Sequence, residues 1–138
     1  MSNASKTLLL VGATSDIGHA TAAAFAQAGW TVHLTARNVE AAQRNRDDIA
    51  ARSGAQVVTH TLDVLDSDRF EAFIDELGAL PDAVVCVVGE LGDQQRAQTD
   101  LSHATQVMRT NFEGPALLLG ALGERFIQRG HGSVVGVS

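Results

Sequence analysis

The chain has 138 residues, 45% of them apolar and 19% charged, with a formal net charge of −6. Such a composition excludes disordered and fibrous classes, and the length suits one domain able to bury roughly two-thirds of its unfolded surface. The acidic balance argues against an electrostatic nucleic-acid binder. The single cysteine, Cys86, sits in an apolar run, so a disulfide framework is ruled out and a reducing compartment is expected. The apolar run behind Lys6 is too short for a signal peptide or a membrane span, so a soluble cytoplasmic protein is expected.

Thr7 to Val11 is continuously apolar rather than alternating, the pattern of a parallel strand covered on both faces. From Asp16, the residues Ile17, Ala20, Ala24, Phe25 and Ala28 recur at helical spacing, and Gly29 is the stop. A second strand built on Val32 and Leu34 ends at Ala36-Arg37-Asn38. Asn38 caps a helix from Val39 to about Ser53, closed by Gly54. Gln56 to His60 predicts a third strand, leading into Leu62-Asp63-Val64. Asp66 or Ser67 caps the next helix, whose apolar set is Phe70, Phe73, Ile74 and Leu77 and which Gly78 and Pro81 break.

Ala83 to Val88 is the most uniformly apolar run and predicts a fourth strand at the sheet centre. Glu90 to Asp100 predicts a loop with one helical turn. A long helix follows from Ser102 to Gln128, bent where Asn111, Gly114 and Pro115 interrupt it. Ser133 to Val137 predicts a fifth strand. Alternating strands and helices with short connections predict a Rossmann-like, doubly wound parallel sheet in three α/β/α layers, with strand order 3-2-1-4-5. The fifth strand would then be an apolar edge, so the fold is expected to be truncated there.

Gly12-Ala13-Thr14-Ser15-Asp16-Ile17-Gly18 joins the first strand to the first helix. A glycine there lets the backbone approach a diphosphate closely, and the free amides that open the helix supply donors for the anion. The spacing differs from Gly-x-Gly-x-x-Gly, and an N-capped tight turn with Ser15 or Asp16 as cap stands as the alternative. Arg37 at the end of the second strand would attract a 2′-phosphate, where a carboxylate would favour the plain ribose of NAD. NADP(H) is therefore favoured over NAD(H); the alternative is a solvated arginine at a helix start.

The turn Gly12 to Gly18, Leu62-Asp63-Val64, Val88-Gly89, Thr110-Asn111-Phe112-Glu113-Gly114 and the segment Gly132 to Ser138 stand in the order and spacing of the short-chain dehydrogenase/reductase family, which the whole chain resembles. It departs from the family pattern where Val11 replaces a threonine, where Asp16 replaces the middle glycine of the turn, and where Cys86-Val87-Val88-Gly89 stands for Asn-Asn-Ala-Gly. Asp16 would repel a diphosphate unless its side chain points away. Gly-Ala-Thr-Ser-Asp-Ile, Val88-Gly89-Glu90-Leu91-Gly92-Asp93 and Thr110 to Pro115 further resemble a bacterial branch that includes the decaprenylphosphoryl keto-sugar reductase.

The resemblance implies hydride transfer between a nicotinamide and a small-molecule carbonyl or alcohol. It implies that Gly12, Thr14, Ser15, Asp16, Ile17, Gly18, Arg37, Asn38, Asp63, Val64, Val88 and Gly89 bind the cofactor, with Asp63 accepting from the adenine amino group and the Val64 backbone flanking the ring. Asn111 matches the asparagine that anchors a water in the proton relay, and Ser138 aligns with the first of two small residues that end the catalytic strand. The chain contains no tyrosine, so it lacks the Tyr-x-x-x-Lys segment and is expected to be inactive alone. Two readings follow: the cofactor-binding part of a reductase, or a non-catalytic nucleotide-binding or interaction module. The five histidines show no metal-ligand spacing and are expected at the surface, while Cys86 and Trp30 are expected to pack. The long helix is apolar around much of its circumference, so a homo-oligomer through it is expected.

Overall fold

The computed structural model describes residues 5–89 and 94–137. Five parallel strands form one sheet in the order β3-β2-β1-β4-β5. They are β1 (Thr7–Val11), β2 (Thr31–Ala36), β3 (Val57–Thr61), β4 (Ala83–Cys86) and β5 (Ser133–Gly136), connected by helices α1 (Asp16–Gln27), α2 (Val39–Ser53), α3 (Phe70–Glu76), α4 (Gln94–Thr99), α5 (Leu101–Met108) and α6 (Gly114–Arg129). The expected strand order holds. The central strand is β1 rather than β4, which lies between β1 and β5.

The unbroken apolar run of β1 has a direct cause. Leu8 and Leu10 enter a core shared with α1 and α2, and Leu9 and Val11 enter a second core shared with α3 and α6. Leu8, Leu9 and Leu10 are fully buried, each worth about 1.5–3 kcal/mol of burial. Small residues Ala22 and Ala26 on α1 complete the first core; Phe70, Phe73, Leu118, Leu122 and Phe126 fill the second. Trp30 packs edge-on against Phe25, with ring centroids 4.9 Å apart, as a packing residue does.

Local signals fix most boundaries. Ser15 Oγ accepts from Gly18 N–H at 2.9 Å to cap α1, Asn38 accepts from Ala41 N–H at 3.1 Å to cap α2, and Gly54 ends α2 in the left-handed region. Neither Asp66 nor Ser67 supplies the expected side-chain cap of α3, and the chain instead enters α3 through a 3₁₀ turn, Ser67–Arg69. Strand β4 stops at Cys86, two residues short of its apolar run, although Val87 N–H still donates to Val11 O at 2.8 Å.

The long helix is not continuous. Asp100 caps α5 through the amides of Ser102 and His103, a single π turn covers Arg109–Glu113, and α6 restarts at Gly114 with Pro115 in its first turn. The reason lies at Gly114, where a Cβ would strike the Val64 carbonyl oxygen, so only glycine lets the helix press against the segment that follows β3. Arg129 then ties the far end of α6 to the α3–β4 connection by donating to the carbonyls of Leu80 and Pro81, each at 2.8 Å. Strand β5 is an exposed edge, with Val135 45% accessible. No described helix is long and apolar enough to cross a membrane.

His33 and His60 are half-buried rather than at the surface. His33 on β2 and His60 on β3 stack with ring centroids 5.0 Å apart and share a 2.7 Å hydrogen bond between Nδ1 and Nε2, with Phe73 edge-on to His60. Burial and then the neighbouring His60 lower the His33 pKa below its ordinary 6.5; burial lowers that of His60, partly offset by Glu76 on α3. A base whose folded pKa is lowered binds fewer protons folded than unfolded, so its stability is full above the unfolded pKa and lost as pH falls below it. Chemical denaturation should therefore show the fold weakening from about pH 7.5 towards about pH 5.5, with His33→Val flattening the dependence; a flat wild-type profile would contradict the assignment.

Candidate functional site

The strand order reverses between β1 and β4, and a crevice opens there at the carboxyl ends of the strands, where open α/β sheets bind ligands. Its first cleft, about 210 Å³, gathers residues far apart in sequence. The β1 turn contributes Gly12, Thr14 and Ser15; the end of β2 contributes Arg37 and Asn38; the end of β3 contributes Asp63 and Val64; and the segment after β4 contributes Val88 and Gly89. A second cleft of about 750 Å³ shares Ser15, Val87, Val88 and Gly89 with the first and adds Ile17, Asn111 and an apolar wall including Phe112 and Leu119.

The turn is built by its neighbours on both sides. Gly12 has φ +99° and its backbone passes so near the end of β4 that a Cβ would sit 2.9 Å from the Val87 carbonyl, which only glycine tolerates. On the other side, the Thr35 carbonyl accepts from both Gly12 N–H at 3.0 Å and Ala13 N–H at 3.2 Å. Ser15 Oγ also donates to Gly12 O at 3.1 Å, so the capped tight turn and the anion-ready helix start are the same object. The amides of the first turn of α1 carry the positive end of the helix dipole.

Asp16 and Gly18 line neither cleft. Asp16 is exposed in the first turn of α1, where a carboxylate suits the dipole, and Gly18 is buried beneath the turn. Arg37 is exposed at the rim and makes no ion pair or hydrogen bond among the described residues, which leaves its guanidinium available to an anion. Asp63 Oδ1 accepts from Leu65 N–H at 2.9 Å, which holds the carboxylate at the end of β3. Asn111 stands in the π turn, its Oδ1 3.4 Å from where a Cβ would lie on Gly89. Ser138 lies outside the described residues.

Sequence reasoning missed two further groups in this crevice. Thr35 and Thr110 line the first cleft, are at least nine-tenths buried, and carry hydroxyls with no partner among the described residues. A buried hydroxyl left unpaired costs about 1–3 kcal/mol, so a polar ligand or water meeting them would be bound favourably. Nothing local marks them: threonine in a strand or beside a helix bend reads as ordinary. Cys86 lies on the wall of the second cleft, and burial pushes its thiol pKa up, away from the reactive thiolate.

The short chain dehydrogenase family model matches residues 6–138. An oxidoreductase of Streptomyces coelicolor is 35% identical over 96% of this chain and 54% of its own length. Sulfoacetaldehyde reductase 2 of Chromohalobacter salexigens is 31% identical over 95% of this chain and 53% of its own. A 3-oxoacyl-[acyl-carrier protein] reductase of Brucella melitensis, solved with bound NAD, superposes with a TM-score of 0.86 at 25% identity, over 96% of this chain and 53% of that one. The chain thus spans about half the length of these relatives. With a family match across nearly all its residues, the chain belongs to the short-chain dehydrogenase/reductase family.

Proposed function

We propose that these residues are the cofactor-binding part of an NADP(H)-dependent reductase that moves a hydride between the nicotinamide and a small-molecule carbonyl or alcohol carbon. The observation that carries the cofactor reading is Arg37, an unpaired cation at the rim of a crevice that also presents a helix N-terminus. Thr14 holds the diphosphate through its backbone amide, on a turn that Gly12 lets pass close to the ligand and that Ser15 caps. Arg37, with Asn38 beside it, takes the 2′-phosphate through charge-assisted hydrogen bonds. Asp63 accepts from the adenine amino group, and Val64 flanks the ring. The buried hydroxyls of Thr35 and Thr110 meet polar atoms of the same nucleoside or a water beneath it.

A nicotinamide held in this crevice would supply or accept the hydride. Around it, Ile17, Val88 and Gly89 exclude water from the second cleft, and Asn111 anchors a water of the proton relay at the π turn. Asp16 and Gly18 act on the turn rather than on the cofactor. Ser138, the first of the two small residues in the family pattern, stands next to the position whose serine would orient the substrate oxygen. The substrate class is a carbonyl compound, in keeping with the aldehyde in the name of the Chromohalobacter relative, and the motif resemblance favours a keto-sugar. The protein works in the cytoplasm, in keeping with its buried, unpaired cysteine. The second reading, a non-catalytic nucleotide-binding module, draws on the lack of any tyrosine among the 138 residues.

Association follows from the helices. Met108, Leu117 and Ile127 stand exposed along α5 and α6, Ile127 at 76%, beside a sheet core that already takes Leu118, Leu122 and Phe126. A homo-oligomer would cover that face.

Calorimetric titration of Arg37→Ala should show NADPH binding weakened by about 10-fold or more, from the loss of charge-assisted bonds, with NADH affinity changed less than about twofold. Equal loss for both nucleotides would remove the 2′-phosphate assignment. The purified 138-residue chain should oxidise no NADPH with aldehyde or ketose substrates; turnover would show that its own residues complete the proton relay. Sedimentation should give a dimer that Ile127→Asp converts to monomer, and a monomeric wild type would refute the helical interface.

A further inference from the structure

Helix α2 reaches back to the turn after β1 through two polar side chains one helical turn apart. Asn45 Nδ2 donates to the Ala13 carbonyl at 2.7 Å, and Asp48 Oδ2 bonds His19 Nε2, in the opening of α1, at 2.9 Å. Arg52 in turn donates to the other Asp48 oxygen at 2.8 Å, which fixes that carboxylate. Only the amide end of Asn45 can face a carbonyl oxygen, so the acceptor itself orients the side chain.

The peptide joining Ala13 to Thr14 is trans. Its carbonyl and its N–H therefore point in opposite directions, and a carbonyl held towards α2 turns the Thr14 N–H away from it. Thr14 lines the first cleft. From the β2 side the Thr35 carbonyl grips the amides of Gly12 and Ala13, so the peptide just before this one is held as well.

We infer that Asn45 is a positioning residue for anion binding: it presets the Ala13–Thr14 peptide so that the Thr14 N–H is offered to a diphosphate seated on the turn. This role rests on the nucleotide-binding reading given above. A donor already aimed pays little ordering entropy when the anion arrives. The same helix begins just after Arg37 and Asn38, so α2 bears on both anionic ends of the nucleotide, the 2′-phosphate through its N-terminus and the diphosphate through Asn45. The Asp48 bond to His19 braces the α1 side of the turn.

The test titrates the ¹⁵N-labelled chain with NADPH and, separately, with adenosine 2′-monophosphate, which lacks the diphosphate. In the wild type the Thr14 amide resonance moves with NADPH and stays in place with the monophosphate. Asn45→Ala weakens NADPH about tenfold, removes the Thr14 response and leaves the monophosphate affinity within about twofold, which also reports an intact fold. If the wild type binds neither probe, the nucleotide reading itself fails. If it binds NADPH with the Thr14 amide unmoved, the inference about Asn45 is overturned while the nucleotide reading stands, whatever the stability of the variant. Loss of both probes to the same degree in Asn45→Ala, or loss of neither, overturns it as well.

Discussion

The passage of Gly12 between its two neighbouring strands is the constraint on which the rest of the site depends. The backbone there is wedged between the Thr35 carbonyl of β2, which takes the amides of Gly12 and Ala13, and the Val87 carbonyl just past β4, which leaves no room for a Cβ. Both contacts require β2 and β4 to flank β1 in parallel and in one register, Val11 beside Thr35 and Cys86. The turn is thus a product of the sheet, and an error in strand order would remove it before any ligand was involved.

The sheet in turn depends on β1 being buried on both faces. Side chains alternate across a strand, so one run of leucines feeds two cores and draws helices to both sides. On one face, α1 and α2 follow directly on the turn and the Arg37 cation of the crevice; α5, the π turn and α6, on the other, close it with Thr110 and Asn111. The π turn has a packing cause, since Gly114 must seat on the Val64 carbonyl while Leu118, Leu122 and Phe126 keep their places in the core. Shifting the helix register over five residues satisfies both demands and turns Asn111 towards Gly89.

Electrostatically the site is biased by position more than by charge count. The chain is acidic overall, yet the crevice combines a helix N-terminus with Arg37, while the nearby carboxylates of Asp16 and Asp63 are turned to solvent or held in a turn by the Leu65 amide. Arg125, with Glu71 at 2.7 Å and Asp75 at 2.8 Å, joins α6 to α3 outside this site; exposed pairs of that kind add little to stability and serve alignment.

The sequence by itself determined the elements, their order and most of the crevice. Continuous apolar runs, the caps at Ser15 and Asn38, and the stop at Gly54 are local properties, legible because neighbours in sequence decide them. The residues at the strand ends, from Gly12 to Gly89, could be picked out for the same reason, since parallel strands bring their carboxyl ends together. Tertiary structure alone decided the rest. The His33–His60 pair spans 27 residues, the Asn45–Ala13 bond 32, and the presence of Thr35 and Thr110 in one cleft needs β2 and the π turn to line it together. The early end of β4 and the 3₁₀ entry to α3 were likewise hidden. Each is settled by what packs across the fold, through contacts whose partners leave no trace in the local pattern.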